Sequence, residues 1–86
     1  MTMETLHSIA GVAGSALVIV AYFANQQEWL SAKDWRYSAV NLVGALLILL
    51  SLYFDWNLAA AVMEGFWALI SVYGLYRQLA RGPAKA

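Results

Sequence analysis

The stretch NLAAAVMEGFWALISVYGLY, residues 57–76, contains a single formal charge, Glu64, among otherwise uncharged and mostly apolar residues. A helix that crosses the hydrocarbon core of a bilayer needs about 20 such residues. Two further stretches of this kind precede it, because neither residues 6–24 nor residues 37–54 contain Asp, Glu, Lys or Arg. The sequence therefore predicts three transmembrane spans, at about 6–24, 37–54 and 57–76.

The composition supports a membrane protein. Of the 86 residues, 63% are hydrophobic and 12% are charged, and none is cysteine. Soluble globular chains average about 45–50% apolar and about 25% charged residues. A soluble chain this short buries little of its surface, and without cysteine it has no disulfides to compensate. We therefore predict an all-α integral membrane protein with one domain over residues 1–86.

The first span is expected to be a retained helix and not a cleaved signal peptide. A secretory signal begins with a positively charged segment, whereas the residues before this span include Glu4 and no Lys or Arg.

The basic residues predict the orientation in the membrane. All of them lie on one side of a three-span topology, in the linker at 25–36 and the tail at 77–86, namely Lys33, Arg36, Arg77, Arg81 and Lys85. Short segments rich in Lys and Arg stay cytoplasmic. We therefore expect a multi-pass protein of the bacterial inner membrane, with its N-terminus outside and its C-terminus in the cytoplasm.

The linker at 25–36 is expected to lie at the membrane interface. Trp side chains are enriched there, and Ser31 followed by Asp34 resembles a capping box, which predicts that the second helix begins near Ala32. The connection to the third helix is very short, so the second and third helices should form an antiparallel hairpin. The predicted interface anchors are Trp29, Trp35, Trp56, Lys33, Arg36, Arg77 and Arg81.

Small and polar residues recur on one face of each predicted helix. They are Ser8, Gly11, Ser15, Tyr22 and Gln26 on the first helix, Ser38, Asn41, Gly44, Ala45 and Ser51 on the second, and Asn57, Ala60, Ala61, Glu64, Ala68 and Ser71 on the third. Transmembrane helices pack through small residues and hydrogen-bond through the rarer polar ones. We therefore expect these faces to meet in a three-helix bundle, with Gly11, Gly14, Gly44, Ala60, Ala61 and Ala68 as packing positions.

The helical rise predicts two polar layers at different depths. At about 1.5 Å per residue, Glu64 lies roughly 10 Å below the outer boundary, at the depth of Ser15. Tyr22, Asn41 and Ser71 lie together, closer to the inner boundary. Glu64 and Asn41 of one chain are therefore not expected to touch.

Two interpretations of Glu64 stay open. A charge at membrane depth costs on the order of 2.5–3.5 kcal/mol on insertion scales, and no Lys or Arg lies at this level. A protonated Glu64 could hydrogen-bond a carbonyl, Ser15 or a second copy of itself. Alternatively it lines a cavity, where it takes up a proton or contacts a polar solute. The predicted solute pathway or buried polar network comprises Glu64, Trp67, Asn41, Ser15, Tyr22 and Ser71; for Asn41 a simple interhelical hydrogen bond is the other interpretation.

The sequence has no constellation of residues typical of an enzyme. It contains one His, no Cys, no glycine-rich phosphate loop and no paired carboxylates with a plausible shared site, so we expect no catalysis, metal or cofactor. The sequence also offers no basic surface that could bind nucleic acid.

Three helices enclose little space, so we expect an oligomer in the lipid bilayer, most simply a parallel homodimer, since cyclic dimers are the commonest assembly.

Three segments carry a resemblance to known proteins. They are AYF at 21–23, NLVGALLILLSL at 41–52 and MEGFWALISVYGL at 63–75. The sequence resembles a little-characterised family of short bacterial three-helix membrane proteins and, more distantly, the half-transporters related to SWEET and PQ-loop proteins. The second resemblance implies a homodimeric carrier in which Glu64 and Trp67, together with Asn41, face the substrate.

Two functions follow from these observations as hypotheses. The first is a minimal transporter or channel for a small polar solute, working as a homo-oligomer with Glu64 in the pathway. The alternative is a non-catalytic accessory or scaffold subunit of a larger membrane complex.

Overall fold

The computed structural model describes residues 2–81, and these residues form three helices. They are α1 (Met3–Gln26), α2 (Trp35–Phe54) and α3 (Leu58–Ala80). All three are long and apolar enough to cross a membrane, which confirms the prediction of three membrane-spanning helices. Lys85 of the predicted basic tail lies outside the described residues.

Side-chain caps define where α1 and α3 begin. The Thr2 hydroxyl accepts a hydrogen bond from the Thr5 backbone N–H at 3.1 Å, and Asn57 Oδ1 accepts one from the Ala60 N–H at 3.1 Å. Each cap satisfies a backbone donor that the first helical turn leaves without a partner. The start of each helix is therefore encoded by residues next to it in the sequence.

The prediction that the second helix begins near Ala32 is wrong. Asp34 is the N-cap of α2, where Oδ1 accepts a hydrogen bond from the Arg36 N–H at 2.9 Å and the carboxylate forms an ion pair with the Arg36 guanidinium at 2.7 Å. Hydrogen bonds from Arg36 hold the pKa of Asp34 below its ordinary value. Ser31 instead accepts from the Lys33 N–H at 3.1 Å, which makes a local turn before the helix.

The middle helix organises the fold. Both α1 and α3 pack against α2, but within residues 2–81 α1 and α3 do not pack against each other. The expected bundle, in which the small faces of all three helices meet, is therefore wrong for a single chain. The reason is that both outer helices pack only against α2.

The interface of α1 and α2 depends on a close approach of two glycines. A Cβ atom built on Gly14 would lie 2.5 Å from the Gly44 carbonyl oxygen, and one built on Gly44 would lie 2.8 Å from the Gly14 carbonyl oxygen. One turn away, a Cβ on Gly11 would lie 2.7 Å from Ser51 Oγ. Small residues allow transmembrane helices to approach this closely and gain van der Waals contact.

Only part of the small and polar face predicted for α1 packs against α2, namely Gly11. Gly14 and Ala21 are buried, whereas Ser8, Ser15 and Gln26 are exposed and Tyr22 keeps 55% of its surface accessible. These residues lie on the flank beside the contact with α2. In the described chain α1 therefore presents a polar flank that no other helix covers.

Candidate functional site

Polar residues of α3 face α2 at regular intervals. Glu64, Ser71 and Gln78 are seven residues apart, which places them on one face of the helix. Ser71 and Gln78 are buried and Glu64 is half-buried. From α2, the buried Ser38 and Asn41 face the same contact. We call these residues, together with Trp67, the polar seam.

Asn41 links the two helices of the seam. It is 3% exposed, its Nδ2 donates to the Tyr37 carbonyl at 2.8 Å, and its Oδ1 accepts from Trp67 Nε1 at 3.2 Å. Because one end of the amide donates and the other accepts, both its orientation and the position of the indole are defined. Asn41 thus makes the interhelical hydrogen bond that the sequence left as one of two interpretations.

A cavity of about 260 Å³ opens at the end of the seam nearest the linker. Its walls combine polar and apolar side chains, and we call it the linker-side cavity. It is lined by Ala32, Tyr37, Ser38, Asn41, Trp67, Ile70, Ser71, Gly74 and Gln78. No Asp, Glu, Lys or Arg is among these lining residues, so the cavity is polar without being charged.

Gln78 joins the end of α3 to the linker. Its Nε2 donates to the Ala32 carbonyl at 2.9 Å, which assigns the amide orientation because a carbonyl oxygen only accepts. The side chain is 8% exposed. Its Oε1 is buried and has no hydrogen-bond partner among residues 2–81. This buried amide therefore uses its donor end, and its acceptor oxygen is unused within the described residues.

Glu64 lies in the same seam, one helical repeat from Ser71, but does not line the linker-side cavity. Its Oε1 is buried, and no group in the described part of the chain hydrogen-bonds to it. The Asn41 amide bonds to Tyr37 and Trp67 instead, so the predicted separation of Glu64 from Asn41 is observed. The seam thus has one hydrogen-bonded end and one end with an unsatisfied carboxyl group.

The structure brings together only part of the predicted polar network. Asn41 and Ser71 line one cavity, as their similar depths suggested, and Trp67 lines it as well. Ser15 and Tyr22 are exposed on α1 and do not line this cavity. They were expected in the two polar layers with Glu64 and with Asn41, and in the single chain they join neither.

Six of the nine residues that line the cavity were missing from the predicted pathway, and Ser38, Gly74 and Gln78 are among them. Ser38 was recognised only as part of the small face of the second helix. Gln78 was excluded because the predicted span ended at residue 76, whereas α3 continues to Ala80. The seven-residue spacing from Glu64 through Ser71 is the signal that could have located Gln78.

The small packing residues of α3 differ in burial. Ala68 is 9% exposed and belongs to the core, whereas Ala60 and Ala61 are half-buried. A Cβ built on Gly74 would lie 2.8 Å from Ser38 Oγ, so this glycine brings α3 close to α2 beside the cavity.

The predicted interface anchors lie near the ends of the helices. Trp29, Trp35 and Trp56 are exposed by 73%, 46% and 68%. Lys33, Arg36, Arg77 and Arg81 are exposed as well. Exposed indole rings at helix ends suit the headgroup region of a bilayer.

These observations define the class of the protein, a small integral membrane protein with three membrane-length helices and a polar seam between two of them. A family model matches residues 7–82, and the chain belongs to this small uncharacterised family. No curated protein and no solved structure matches the chain, so nothing supports the more distant resemblance to SWEET and PQ-loop half-transporters.

Proposed function

We propose that the protein is a half-size transporter or channel for a small polar solute, and that two copies in the same orientation form the working unit. The observation that carries this proposal is the polar seam with its cavity, between helices that are otherwise apolar. Polar and ionisable groups at membrane depth are costly, and they mark solute and ion pathways. A purely structural contact between α2 and α3 would need only small residues, of which each helix has a buried example in Ala45 and Ala68.

Glu64 is the ionisable member of the proposed pathway. Its buried Oε1 has no partner in the described chain, and Ser71 follows it by two helical turns, about 10 Å along the axis. A carboxyl group in this position takes up a proton or hydrogen-bonds a passing solute. The role of Glu64 therefore depends on its carboxyl group and not on its size.

A second copy would complete the pathway. Within residues 2–81 α1 and α3 do not contact each other, and the flank of α1 that carries Ser15 and Tyr22 is exposed. The one-sided distribution of basic residues gives every copy the same orientation, so the pair would be parallel, with its symmetry axis along the membrane normal. In this arrangement the exposed polar flanks would face the pathway or the partner instead of lipid.

A flux assay in liposomes tests this function. We expect the reconstituted wild type to accelerate the entry of a small polar solute over protein-free vesicles, and Glu64→Gln to lose most of this acceleration. Glu4→Gln is the matched control, because it makes the same chemical change at an exposed residue near the start of α1. Equal flux for the wild type and Glu64→Gln would contradict a role for this carboxyl group in transport.

The oligomeric state separates the transporter from the alternative, an accessory subunit of a larger membrane complex. The uncovered polar flank of α1 would suit a foreign helix as well as a second copy. Two differently tagged copies should co-purify from one membrane if the protein is a homo-oligomer. Stoichiometric recovery of another membrane protein, with no exchange between the tagged copies, would favour the accessory role.

The proposed location is the bacterial inner membrane, with the N-terminus outside. Since the chain contains no cysteine, a single introduced cysteine can be labelled without background. A membrane-impermeant maleimide should label Asp55→Cys in intact cells, and it should label Lys33→Cys only after the cells are permeabilised. The reverse pattern would overturn this orientation.

A further inference from the structure

We infer that a pocket in the linker binds the head group of a zwitterionic phospholipid with a primary ammonium, such as phosphatidylethanolamine. Glu28 receives the ammonium and Arg36 the phosphate. This inference goes beyond the proposed function, because it concerns the membrane interface and does not depend on transport. We call the site the charged pocket; it has a volume of about 490 Å³ and is lined by Asn25, Glu28, Trp29, Leu30, Ser31, Ala32, Asp34 and Arg36.

Both signs of charge line the charged pocket. Asp34 and Arg36 form an ion pair with each other at 2.7 Å, so their charges largely cancel. Glu28 is exposed, and it forms no ion pair within residues 2–81. The pocket therefore contains one accessible carboxylate whose charge no group in the described chain neutralises.

Glu28 occupies a position that suits glycine better. Its φ is 65°, in the left-handed region that residues with a Cβ atom rarely adopt. The Glu28 N–H donates to the Asn25 carbonyl at 3.0 Å, and the Trp29 N–H donates to the Ala24 carbonyl at 2.9 Å. These two bonds form the Schellman motif that ends α1, in which the residue at the place of Glu28 is usually Gly. The turn itself therefore does not explain a glutamate here.

The charge of Glu28 is also unfavourable beside the end of α1. The C-terminus of a helix carries a partial negative charge, which disfavours a carboxylate and favours a cation. The last turn of α1 has no basic residue. A cation bound at Glu28 would compensate both the carboxylate and the helix end, so an ammonium group from outside the chain fits this place.

Arg36 offers donors to an anionic group in the same pocket. Its Nε and Nη2 atoms donate to the Asp34 carboxylate, but a guanidinium has five N–H donors and 64% of this side chain is exposed. Guanidinium and phosphate form strong charge-assisted hydrogen bonds. An anion alone is disfavoured, because Glu28 and Asp34 together outweigh Arg36 in charge. A ligand that carries both an ammonium and a phosphate matches the two signs.

The position of the pocket favours a lipid over a free zwitterion. It lies between the end of α1 and the start of α2, two helices of membrane length, and therefore at the level of the head groups. Trp29 lines it and packs edge-on against Phe23, with 5.8 Å between ring centroids, and indole rings are enriched at this level. The Asn25 amide donates to the Leu30 carbonyl at 3.0 Å, which fixes the turn that forms the wall.

The acceptors of the pocket favour a primary ammonium over a quaternary one. An ionised carboxylate only accepts hydrogen bonds, and a primary ammonium donates three. The trimethylammonium of phosphatidylcholine has no N–H to donate. Phosphatidylethanolamine should therefore bind more tightly than phosphatidylcholine, although both lipids are zwitterionic.

Three lipids with the same acyl chains test the ligand class. Phosphatidylethanolamine, phosphatidylcholine and phosphatidylglycerol are titrated into purified protein in an uncharged detergent, and the amide NMR signal of Ser31, which lines the pocket, is followed. We expect a saturable shift with phosphatidylethanolamine and an affinity lower by about tenfold for the other two, which corresponds to one hydrogen bond to a charged group. Phosphatidylcholine or phosphatidylglycerol binding as tightly as phosphatidylethanolamine would overturn the inference.

Two substitutions of Glu28 separate recognition from structure. Glu28→Gln keeps the size, removes the charge and should weaken phosphatidylethanolamine binding by about tenfold. Glu4→Gln makes the same change at an exposed residue of α1 and should bind as the wild type does. Glu28→Gly suits the left-handed backbone, so in an SDS titration it should unfold at a higher SDS fraction than the wild type while it loses the same lipid preference. An unchanged preference in either Glu28 variant, or a lower stability of Glu28→Gly, would contradict the assigned role of Glu28.

A soluble analogue separates the lipid from a free zwitterion. Glycerophosphoethanolamine carries the same head group without acyl chains, so it lacks the local concentration that the membrane gives the lipid. We expect it to bind roughly a hundredfold more weakly than phosphatidylethanolamine. Equal affinity for the two would overturn the assignment to a lipid. The flux assay with Glu64→Gln tests transport separately, and its outcome leaves the lipid site unaffected.

Discussion

The contact between Gly14 and Gly44 yields a prediction for the packing of α1 on α2. An alanine at residue 14 would place its Cβ 2.5 Å from the Gly44 carbonyl oxygen and 2.9 Å from Leu47 Cβ. Neither atom is at the end of a flexible side chain, so no rotamer change relieves the overlap. Gly14→Ala must therefore move the two helices apart.

The size of the effect follows from these distances. Ordinary contact between nonbonded heavy atoms begins at about 3.5 Å, so the backbones must separate by roughly 1 Å. A gap of 0.5–1 Å forfeits about a quarter to a half of the dispersion energy of the atoms that it separates. Overpacking of this kind costs about 1–3 kcal/mol, and the preference of helices for Ala over Gly returns roughly 0.5–1 kcal/mol.

Gly65→Ala is the control for this experiment. Nothing lies within 4 Å of a Cβ built at that position on α3, so the variant gains the same helix preference without any overlap. The difference between the two variants therefore isolates the packing cost, which we expect to be about 1–3 kcal/mol. The free energy of unfolding can be measured by SDS titration in mixed micelles, followed by circular dichroism.

One result would refute the reasoning. If Gly14→Ala unfolds at the same SDS fraction as Gly65→Ala, the two helices do not approach at Gly14, and the arrangement of α1 on α2 is incorrect. Gly44→Ala provides a second reading from the other helix, since its Cβ would lie 2.8 Å from the Gly14 carbonyl oxygen. It should destabilise the protein in the same direction.

Three further predictions concern the seam, the core and the linker. Trp67→Phe removes the indole donor and leaves Asn41 Oδ1 without its partner, so unfolding in SDS should become easier by about 1–3 kcal/mol; an unchanged midpoint would show that this bond contributes nothing. Ala45→Leu adds bulk at a side chain that is 0% exposed and should lower the free energy of unfolding by about 1–3 kcal/mol in the same assay. An unchanged midpoint would show that Ala45 is not enclosed. Because Arg36 lowers the pKa of Asp34, the stability from this cap is present above the pKa of an unfolded Asp and is lost as the pH falls through the lowered value. The NMR shift of the Arg36 amide against pH should give a midpoint below about 3.9, and in Asp34→Asn this titration should disappear.

The number of helices could be predicted from the sequence because that signal is local. Residues 6–24 and 37–54 lack charged side chains altogether, and each forms most of a membrane-length helix. The caps at Thr2 and Asn57 are also formed by neighbouring residues. Depth could be estimated in the same way, because the helical rise is constant, and Asn41 and Ser71 do line one cavity.

The packing faces could not be predicted as reliably because lipid and protein interior are equally apolar. In a soluble protein the hydrophobic face of a helix marks its partner, but here that contrast is missing. Ser15 and Tyr22 share a predicted face with Gly11 on α1, yet they stay exposed, because Gly14 and Ala21 beside them are the buried residues of this helix. Sequence periodicity identified a polar flank without showing what covers it.

The start of α2 was mispredicted for a different reason. Ser31 and Asp34 can each cap a helix, and the sequence does not show which of them does so. The ion pair with Arg36 gives Asp34 a second interaction that Ser31 lacks. The helix therefore begins three residues later than predicted, and residue 32 is left in the linker, where its carbonyl can accept the bond from Gln78.

Hydrogen bonds join the polar seam at Gln78 and at Asn41 but not at Glu64. Gln78 Nε2 bonds to Ala32, and Asn41 bonds to Trp67 across the two helices. Glu64 Oε1 has no partner within residues 2–81. A buried carboxyl group without a partner is costly, so whatever completes the protein should contact the Glu64 end of the seam. In the proposed dimer, a donor from the second copy or from the solute would satisfy Glu64. The same second copy would cover the polar flank of α1, so the dimer proposal addresses both features at once.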